Sequence, residues 1–135
     1  MSDVATKIAT FLADGPFAVV GASADREKYG NKVFRAYLQR GLHAYPIHPK
    51  LEEIEGRRAY HSLTELPEAV RAISVITPPS ITEKIVEQAA AAGVRRIWMQ
   101  PGAESAEAVR RAEELGLEVI AGGPCLLVAV GFRES

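Results

Sequence analysis

Short, mainly apolar runs alternate along this chain with stretches of helical periodicity, and that alternation constrains its fold more than any other feature. Phe17-Ala18-Val19-Val20-Gly21-Ala22 is apolar without interruption, as expected of a parallel strand covered on both faces; a strand with one wet face would alternate. His43-Ala44-Tyr45-Pro46-Ile47, Ile73-Ser74-Val75-Ile76-Thr77, Val94-Arg95-Arg96-Ile97-Trp98-Met99 and Leu117-Glu118-Val119-Ile120-Ala121 read as four further strands. Between them lie helical patterns. Val4, Ile8, Phe11 and Leu12 form a stripe that Asp14-Gly15-Pro16 ends, and Val33, Phe34, Tyr37 and Leu38 form another that Gly41 ends. Ser80 and Glu83 have capping-box spacing ahead of a helix reaching Ala92 and stopped by Gly93, and residues 104–115 form a last helix with Gly116 behind it. Ser62 and Glu65 repeat that spacing, but Pro67 follows too soon for more than one or two turns.

Strand and helix in alternation specify a parallel sheet, because parallel neighbours need right-handed crossovers that helices fill. The expected fold is a doubly wound, Rossmann-like α/β domain of about five strands with helices on both faces, formed by residues 1–135 as one domain. With 47% hydrophobic residues the chain can bury a normal core. A formal charge of −1 gives no global field to draw nucleic acid or an anionic membrane, so an anionic ligand must be held locally. The N-terminal residues show no export signal, and no run of about 18 apolar residues occurs. The lone cysteine, Cys125, forms no internal disulfide. A cytoplasmic location is the expectation.

In such sheets ligands sit beyond the carboxyl ends of the strands, where strand order reverses. Gly21, Ala22 and Ser23 combine small residues with a following helix start that carries Gly30, Asn31, Lys32 and Val33, a plausible pyrophosphate cradle. The pattern is neither G-x-G-x-x-G nor a P-loop, and a packed strand-to-helix turn would also need small residues. After the second strand, where a nicotinamide dinucleotide site carries an acid for the ribose hydroxyls, stand His48, Pro49 and Lys50. A cation there favours an added phosphate on the adenosine ribose, present in coenzyme A and in the phosphorylated nicotinamide cofactor. Thr77-Pro78-Pro79-Ser80 can present backbone groups and apolar rings to an adenine or a pantetheine arm, or simply start a helix. Of Trp98 and Met99, which alternate to opposite faces, one is expected in the core, while Gln100-Pro101-Gly102 continues the edge.

Taken in order and spacing, Ala18-Val19-Val20-Gly21-Ala22-Ser23, Tyr29-Gly30-Asn31-Lys32-Val33, Tyr45-Pro46-Ile47-His48-Pro49-Lys50, Val75-Ile76-Thr77-Pro78-Pro79 and Ile97-Trp98-Met99-Gln100-Pro101-Gly102 resemble the coenzyme A-binding domain family. These are small stand-alone relatives of the N-terminal domain of the succinyl-coenzyme A synthetase alpha subunit. The resemblance covers nearly the whole chain. It implies that Gly21, Ala22 and Ser23 with the helix start hold the pyrophosphate and that Pro49-Lys50 meets the adenosine phosphate. Thr77, Pro78, Pro79, Met99 and Gln100 would then line the adenine and pantetheine path. The chain departs from the synthetase in a longer loop over residues 23–30 and in Gly122-Gly123-Pro124-Cys125, where the synthetase has an Asn-Cys-Pro turn. The synthetase's phosphorylated histidine belongs to a separate domain.

Other chemistry is sparse. His43, His48 and His61 lack metal-ligand spacing, and Cys125 in Pro124-Cys125-Leu126-Leu127-Val128 reads as a small buried hydrophobe, with a nucleophile or a thiol poised to exchange with coenzyme A as the alternative. Glu104 and Glu107 suit the first turn of a helix and receive no catalytic role. The expected function is non-catalytic binding of coenzyme A or acyl-coenzyme A, with a nucleotide as the small-molecule partner and neither nucleic acid nor membrane involved. An NAD(P)-dependent oxidoreductase, or one subunit of a split acyl-coenzyme A synthetase with a protein partner, are the alternatives.

Overall fold

The computed structural model describes residues 3–134. Helix α1 covers Val4–Leu12, capped by the Asp3 carboxylate, which accepts the Thr6 N–H at 2.7 Å. The chain continues through β1 (Phe17–Val20), α2 (Tyr29–Gln39) and β2 (Ala44–Ile47). A small hairpin follows, β3 (Glu53–Ile54) with β4 (Arg57–Arg58), and then a 3-10 turn at Leu63–Glu65. The second half runs β5 (Ala72–Val75), α3 (Pro79–Ala91), β6 (Arg96–Met99), α4 (Ala106–Glu114), β7 (Glu118–Ile120) and α5 (Leu126–Ala129). Five parallel strands form one sheet in the order β2-β1-β5-β6-β7. Phe17 pairs with Ala44 on one side and with Ala72 on the other, so the chain leaves β1 toward one edge and later returns to its opposite side. The expected Rossmann-like architecture is therefore present. No helix among the described residues is long and apolar enough to cross a membrane.

The sheet divides the core in two. Phe11, Phe17, Val33, Phe34, Tyr37, Trp98 and Leu126 fill the layer under α1, α2 and α5. Ile47, Ile73, Val75, Val86, Ile97, Met99 and Ala112 fill the layer under α3 and α4. Trp98 and Met99 do face opposite ways, yet both have no exposed surface. Helices cover both sides of the sheet, so alternation distinguishes two cores rather than core from solvent.

Three local expectations are corrected. Residues 48–72 contain the β3–β4 hairpin, whose turn is made by Glu55 (φ 52) and Gly56 (φ 74). Ser62 forms no side-chain cap, and Glu65 instead accepts the His61 N–H at 3.5 Å. At α3 the N-cap is Pro78 with Pro79 in the first turn. Ser80 is thus already inside the helix, and Glu83 accepts a bond from the Ser105 hydroxyl at 2.9 Å, tying α3 to the N-cap of α4. Proline at a first helical position needs no N–H acceptor, which removes the reason for a box.

Candidate functional site

The point at which strand order reverses lies between β1 and β5, and the carboxyl ends of β1, β2, β5 and β6 bring Gly21, His48, Thr77 and Gln100 to one edge. Gly21 has φ +95, and a Cβ there would lie 1.9 Å from the Ile76 carbonyl oxygen. A Cβ on Gly30 would lie 2.1 Å from the Gly21 carbonyl oxygen. The first turn of α2 therefore rests directly on the end of β1. Only glycine permits that approach at either position. Between them, the Ser23 hydroxyl accepts the Asp25 N–H at 3.1 Å and the Asp25 carboxylate accepts the Glu27 N–H at 3.0 Å. Lys28 at the α2 N-cap supplies no side-chain acceptor.

Asn31 is fully buried and fully occupied. Its Nδ2 donates to the Ser23 carbonyl at 2.9 Å and to Glu55 Oε2 at 3.0 Å, while its Oδ1 accepts from Arg35 Nε at 2.6 Å. It braces the loop of residues 23–28 against the β3–β4 turn. Lys32 is half-buried, 3.5 Å from Glu134, and Val33 lies in the core. Ala22 is buried and Ser23 half-buried.

Beside this edge, on the α3 side of the sheet, is a cavity of about 440 Å³. Gly21, Pro49 and Thr77 line it together with Ile81, Ile85 and Gln88 of α3 and the segment from His61 to Leu63. Three of the residues singled out from the sequence thus meet around one space. The α3 wall escaped the sequence reading, although Ile81, Ile85 and Gln88 stand at i, i+4 and i+7 and so mark one helix face. The Thr77 and Thr82 hydroxyls share a 2.7 Å bond across the start of α3, and Pro78 and Pro79 are exposed.

At the end of β2, His48 Nδ1 accepts the N–H groups of both Lys50 (3.0 Å) and Leu51 (3.1 Å). An acceptor at Nδ1 leaves the proton of the neutral ring on Nε2. The turn this makes carries Pro49 and Lys50 outward; both are exposed, and Lys50 forms no ion pair among the described residues.

Met99 is enclosed in the core under α3. Gln100 is equally buried, and its Oε1 accepts the Leu126 N–H at 2.9 Å and the Tyr29 hydroxyl at 3.2 Å. Tyr29 Oη also lies 2.6 Å from Cys125 Sγ. Burial, and after it the hydrogen bond with Cys125, push the Tyr29 phenol well above its usual range. Cys125 itself is half-exposed. Its assignment as a buried hydrophobe is therefore corrected: Leu126 goes into the core, and the thiol enters a polar cluster at the sheet edge. Glu104 accepts the Gly102 N–H at 3.0 Å, and Glu107 pairs with Arg110 on the α4 surface. No group of three or more His, Cys, Asp or Glu suited to a metal ion occurs among the described residues.

The site offers an apolar wall, a backbone approach that glycine alone allows, and an exposed lysine on a fixed turn. Solved structures with the same architecture include a hypothetical protein from Pyrococcus horikoshii OT3, 30% identical with a TM-score of 0.87, over 94% of this chain and 89% of that one. A conserved hypothetical protein from Pyrococcus furiosus is 39% identical with a TM-score of 0.79, over 84% of this chain and 97% of that one. Among curated proteins, the alpha subunit of the ADP-forming acetate–CoA ligase II of Pyrococcus furiosus is 31% identical over 81 residues, which are 59% of this chain and 18% of that protein. The ADP-forming acetate–CoA ligase I of Archaeoglobus fulgidus is 28% identical over 119 residues, 81% of this chain and 17% of that protein. The chain thus spans less than a fifth of the length of these curated relatives. The model of the CoA binding domain matches residues 16–131, and the chain belongs to that family.

Proposed function

We propose that this chain binds coenzyme A or acyl-coenzyme A at the carboxyl edge of its sheet and does not turn it over. The observation that carries this reading is the cavity between Gly21, Pro49, Thr77 and α3, together with the exposed Lys50 that follows Pro49 where a nicotinamide site would need an acid. The adenine enters the apolar cavity, the pyrophosphate meets the loop that starts at Gly21, and Lys50 pairs with the phosphate on the ribose. Met99 and Gln100 lie under the path of the pantetheine arm. Among the described residues the proposed cavity brings together no nucleophile with a base beside it, which supports a binding role over hydrolysis or acyl transfer. A single free thiol suits a reducing compartment, and we place the protein in the cytosol.

Titration calorimetry with coenzyme A, dephospho-coenzyme A and NAD tests the reading. Coenzyme A should bind more tightly than NAD. A charge-assisted phosphate contact is worth about 1.5–3 kcal/mol, so Lys50→Ala should weaken coenzyme A roughly ten- to a hundredfold. The same substitution should leave dephospho-coenzyme A nearly unchanged. Equal weakening of both ligands would show that Lys50 does not read that phosphate, and NAD binding as tightly as coenzyme A would overturn the reading.

A second reading makes the chain one subunit of a split acyl-coenzyme A ligase, favoured by the much greater length of its ligase relatives. Affinity capture from native lysate should then recover a stoichiometric second chain, and recovery of the protein alone would oppose it.

A further inference from the structure

The sheet ends at β2 on one side, and the outer edge of that strand is only partly covered. Hydrogen bonds fix which way each of its residues faces. The His43 carbonyl accepts the Phe17 N–H at 2.9 Å and the Ile47 carbonyl accepts the Gly21 N–H at 3.2 Å, so the odd-numbered residues turn their backbone groups to β1. Ala44 and Pro46 turn theirs outward. Pro46 has no N–H, and its carbonyl accepts the Tyr60 N–H at 2.9 Å, while the Tyr60 carbonyl accepts the His48 N–H at 2.9 Å. Tyr60 thus closes the edge at Pro46 and goes no further. Ala44 is left with an outward N–H and an outward C=O that meet no partner among the described residues, although only 7% of the residue is exposed. Backbone groups so enclosed are nearly always paired.

A cavity of about 420 Å³ runs along this stretch of edge and shares no lining residue with the one at Gly21. Its walls reach both faces of the sheet. Leu38 and Leu42 belong to the layer under α2, Tyr45 and Tyr60 to the layer under α3 and α4. A strand laid beside β2 sends alternate side chains to those two faces, so each would meet an apolar wall. Arg57 and Arg58 also line the cavity, and both are exposed. Neither forms an ion pair among the described residues. Arg57 reaches only the Glu55 carbonyl, at 3.4 Å, and Arg58 lies over the Tyr60 ring, 5.1 Å from its centroid, instead of pairing with Glu53 across the hairpin.

We propose that the outer edge of β2 is a docking site for an extended acidic peptide segment of a partner protein, which adds a strand beside Ala44 and sets carboxylates against Arg57 and Arg58. The unpaired backbone groups decide the class of partner. Ala44 offers one donor and one acceptor side by side, and a single residue of an antiparallel strand answers both. A phosphodiester carries acceptors and no donor, so a nucleic acid backbone would leave the Ala44 carbonyl unpaired. A second copy of this chain fits no better, because edge-to-edge pairing about a two-fold axis brings Arg57 and Arg58 of each copy toward their counterparts, and like charges oppose it. The site is separate from the proposed coenzyme A cavity and does not depend on that reading.

The test is amide NMR of the isotope-labelled full chain, titrated to millimolar concentration with a short end-blocked peptide of alternating glutamate and valine. The Ala44 amide should shift, and its hydrogen exchange should slow about tenfold at saturation, because it gains an acceptor. The double substitution Arg57→Ala/Arg58→Ala, at two exposed positions outside the core, should weaken the peptide about tenfold. Lysine in place of glutamate, or methylation of every peptide nitrogen, should abolish the Ala44 shift. No shift with the acidic peptide, or equal binding of its methylated form, would overturn the proposal. Displacement of the peptide by equimolar inorganic phosphate would reduce the site to a simple anion patch, and displacement by coenzyme A would put the peptide in the other cavity. Either result sinks the added strand. Sedimentation of the chain alone completes the test: a monomer is expected, and a dimer that Arg57→Ala/Arg58→Ala alters would assign the edge to a second copy instead.

Discussion

The two layers of core are built from different materials. Under α1, α2 and α5, aromatic rings meet in directed pairs: Phe11 and Phe17 with centroids 5.5 Å apart, Phe11 and Trp98 edge-on at 5.3 Å, and Phe17 and Tyr37 at 5.0 Å. Polar tips are placed among them, with Tyr37 Oη 2.6 Å from Ser74 Oγ and Trp98 Nε1 donating to the Pro124 carbonyl at 3.0 Å. Under α3 and α4 the layer is mostly valine, isoleucine and alanine, and it opens at one end into the cavity. Rings and hydrogen bonds specify one arrangement, whereas branched aliphatic side chains tolerate several of similar volume. The rigid layer carries the glycine-rich loop and the Cys125 cluster. The more forgiving layer borders the proposed ligand space.

Substitutions at adjacent residues of β6 should expose this difference most sharply. Trp98→Ala should cost about 3–5 kcal/mol in chemical denaturation, since it removes a large ring and its hydrogen bond at once. Met99→Leu, one residue away on the other face, should cost less than about 1.5 kcal/mol. Equal losses would mean the layers do not differ in specificity. A smaller effect is expected at Tyr37→Phe, about 1–3 kcal/mol, because the Ser74 hydroxyl is left buried and unpaired. The double variant Tyr37→Phe/Ser74→Ala should be less destabilised than the sum of the single changes, and strict additivity would show that the bond contributes nothing.

The smallest effect tests how the aromatic layer is closed near the C-terminus. Arg35, buried and lying over the Phe132 ring, pairs with Glu134 at 2.9 Å, and this hydrogen bond lowers the Glu134 pKa. A carboxylate lowered in the folded state stabilises fully above its unfolded value, about 4.3, and the contribution is lost as pH falls through the lower native value. The urea midpoint of Glu134→Gln should therefore fall less steeply with acidification than that of the unaltered chain, and superimposable slopes would exclude the pair from the pH dependence.

Much of the sheet was legible because the strands are short and mainly apolar, with glycine behind the adjoining helices at Gly41, Gly93 and Gly116. What escaped did so for physical reasons. The β3–β4 hairpin is two residues on each side, and Glu53, Arg57 and Arg58 are exposed, so no hydrophobic period marks it. Capping-box spacing at Ser62 and Ser80 was satisfied on paper, but local backbone geometry assigned those glutamates to other partners. Gly21, Pro49 and Thr77 could be named from their place after strands. The α3 wall of the cavity needed knowledge of which helix face turns toward the opening. Cys125 was misjudged because apolar neighbours say nothing about a tyrosine 96 positions away.

The contact of Gly30 on Gly21 sets where this molecule can accommodate a visitor. Backbone lies against backbone there, so no rotamer can change and no side chain can withdraw to make room. Along α3 the opposite holds, since Ile81 and Gln88 are solvent-facing and have torsions to spare. Any tailoring to ligands of different bulk must therefore be absorbed on the helix side. Replacing residues along that wall is the route to altered ligand preference, while the glycine seam stays as the fixed datum from which the opening is measured.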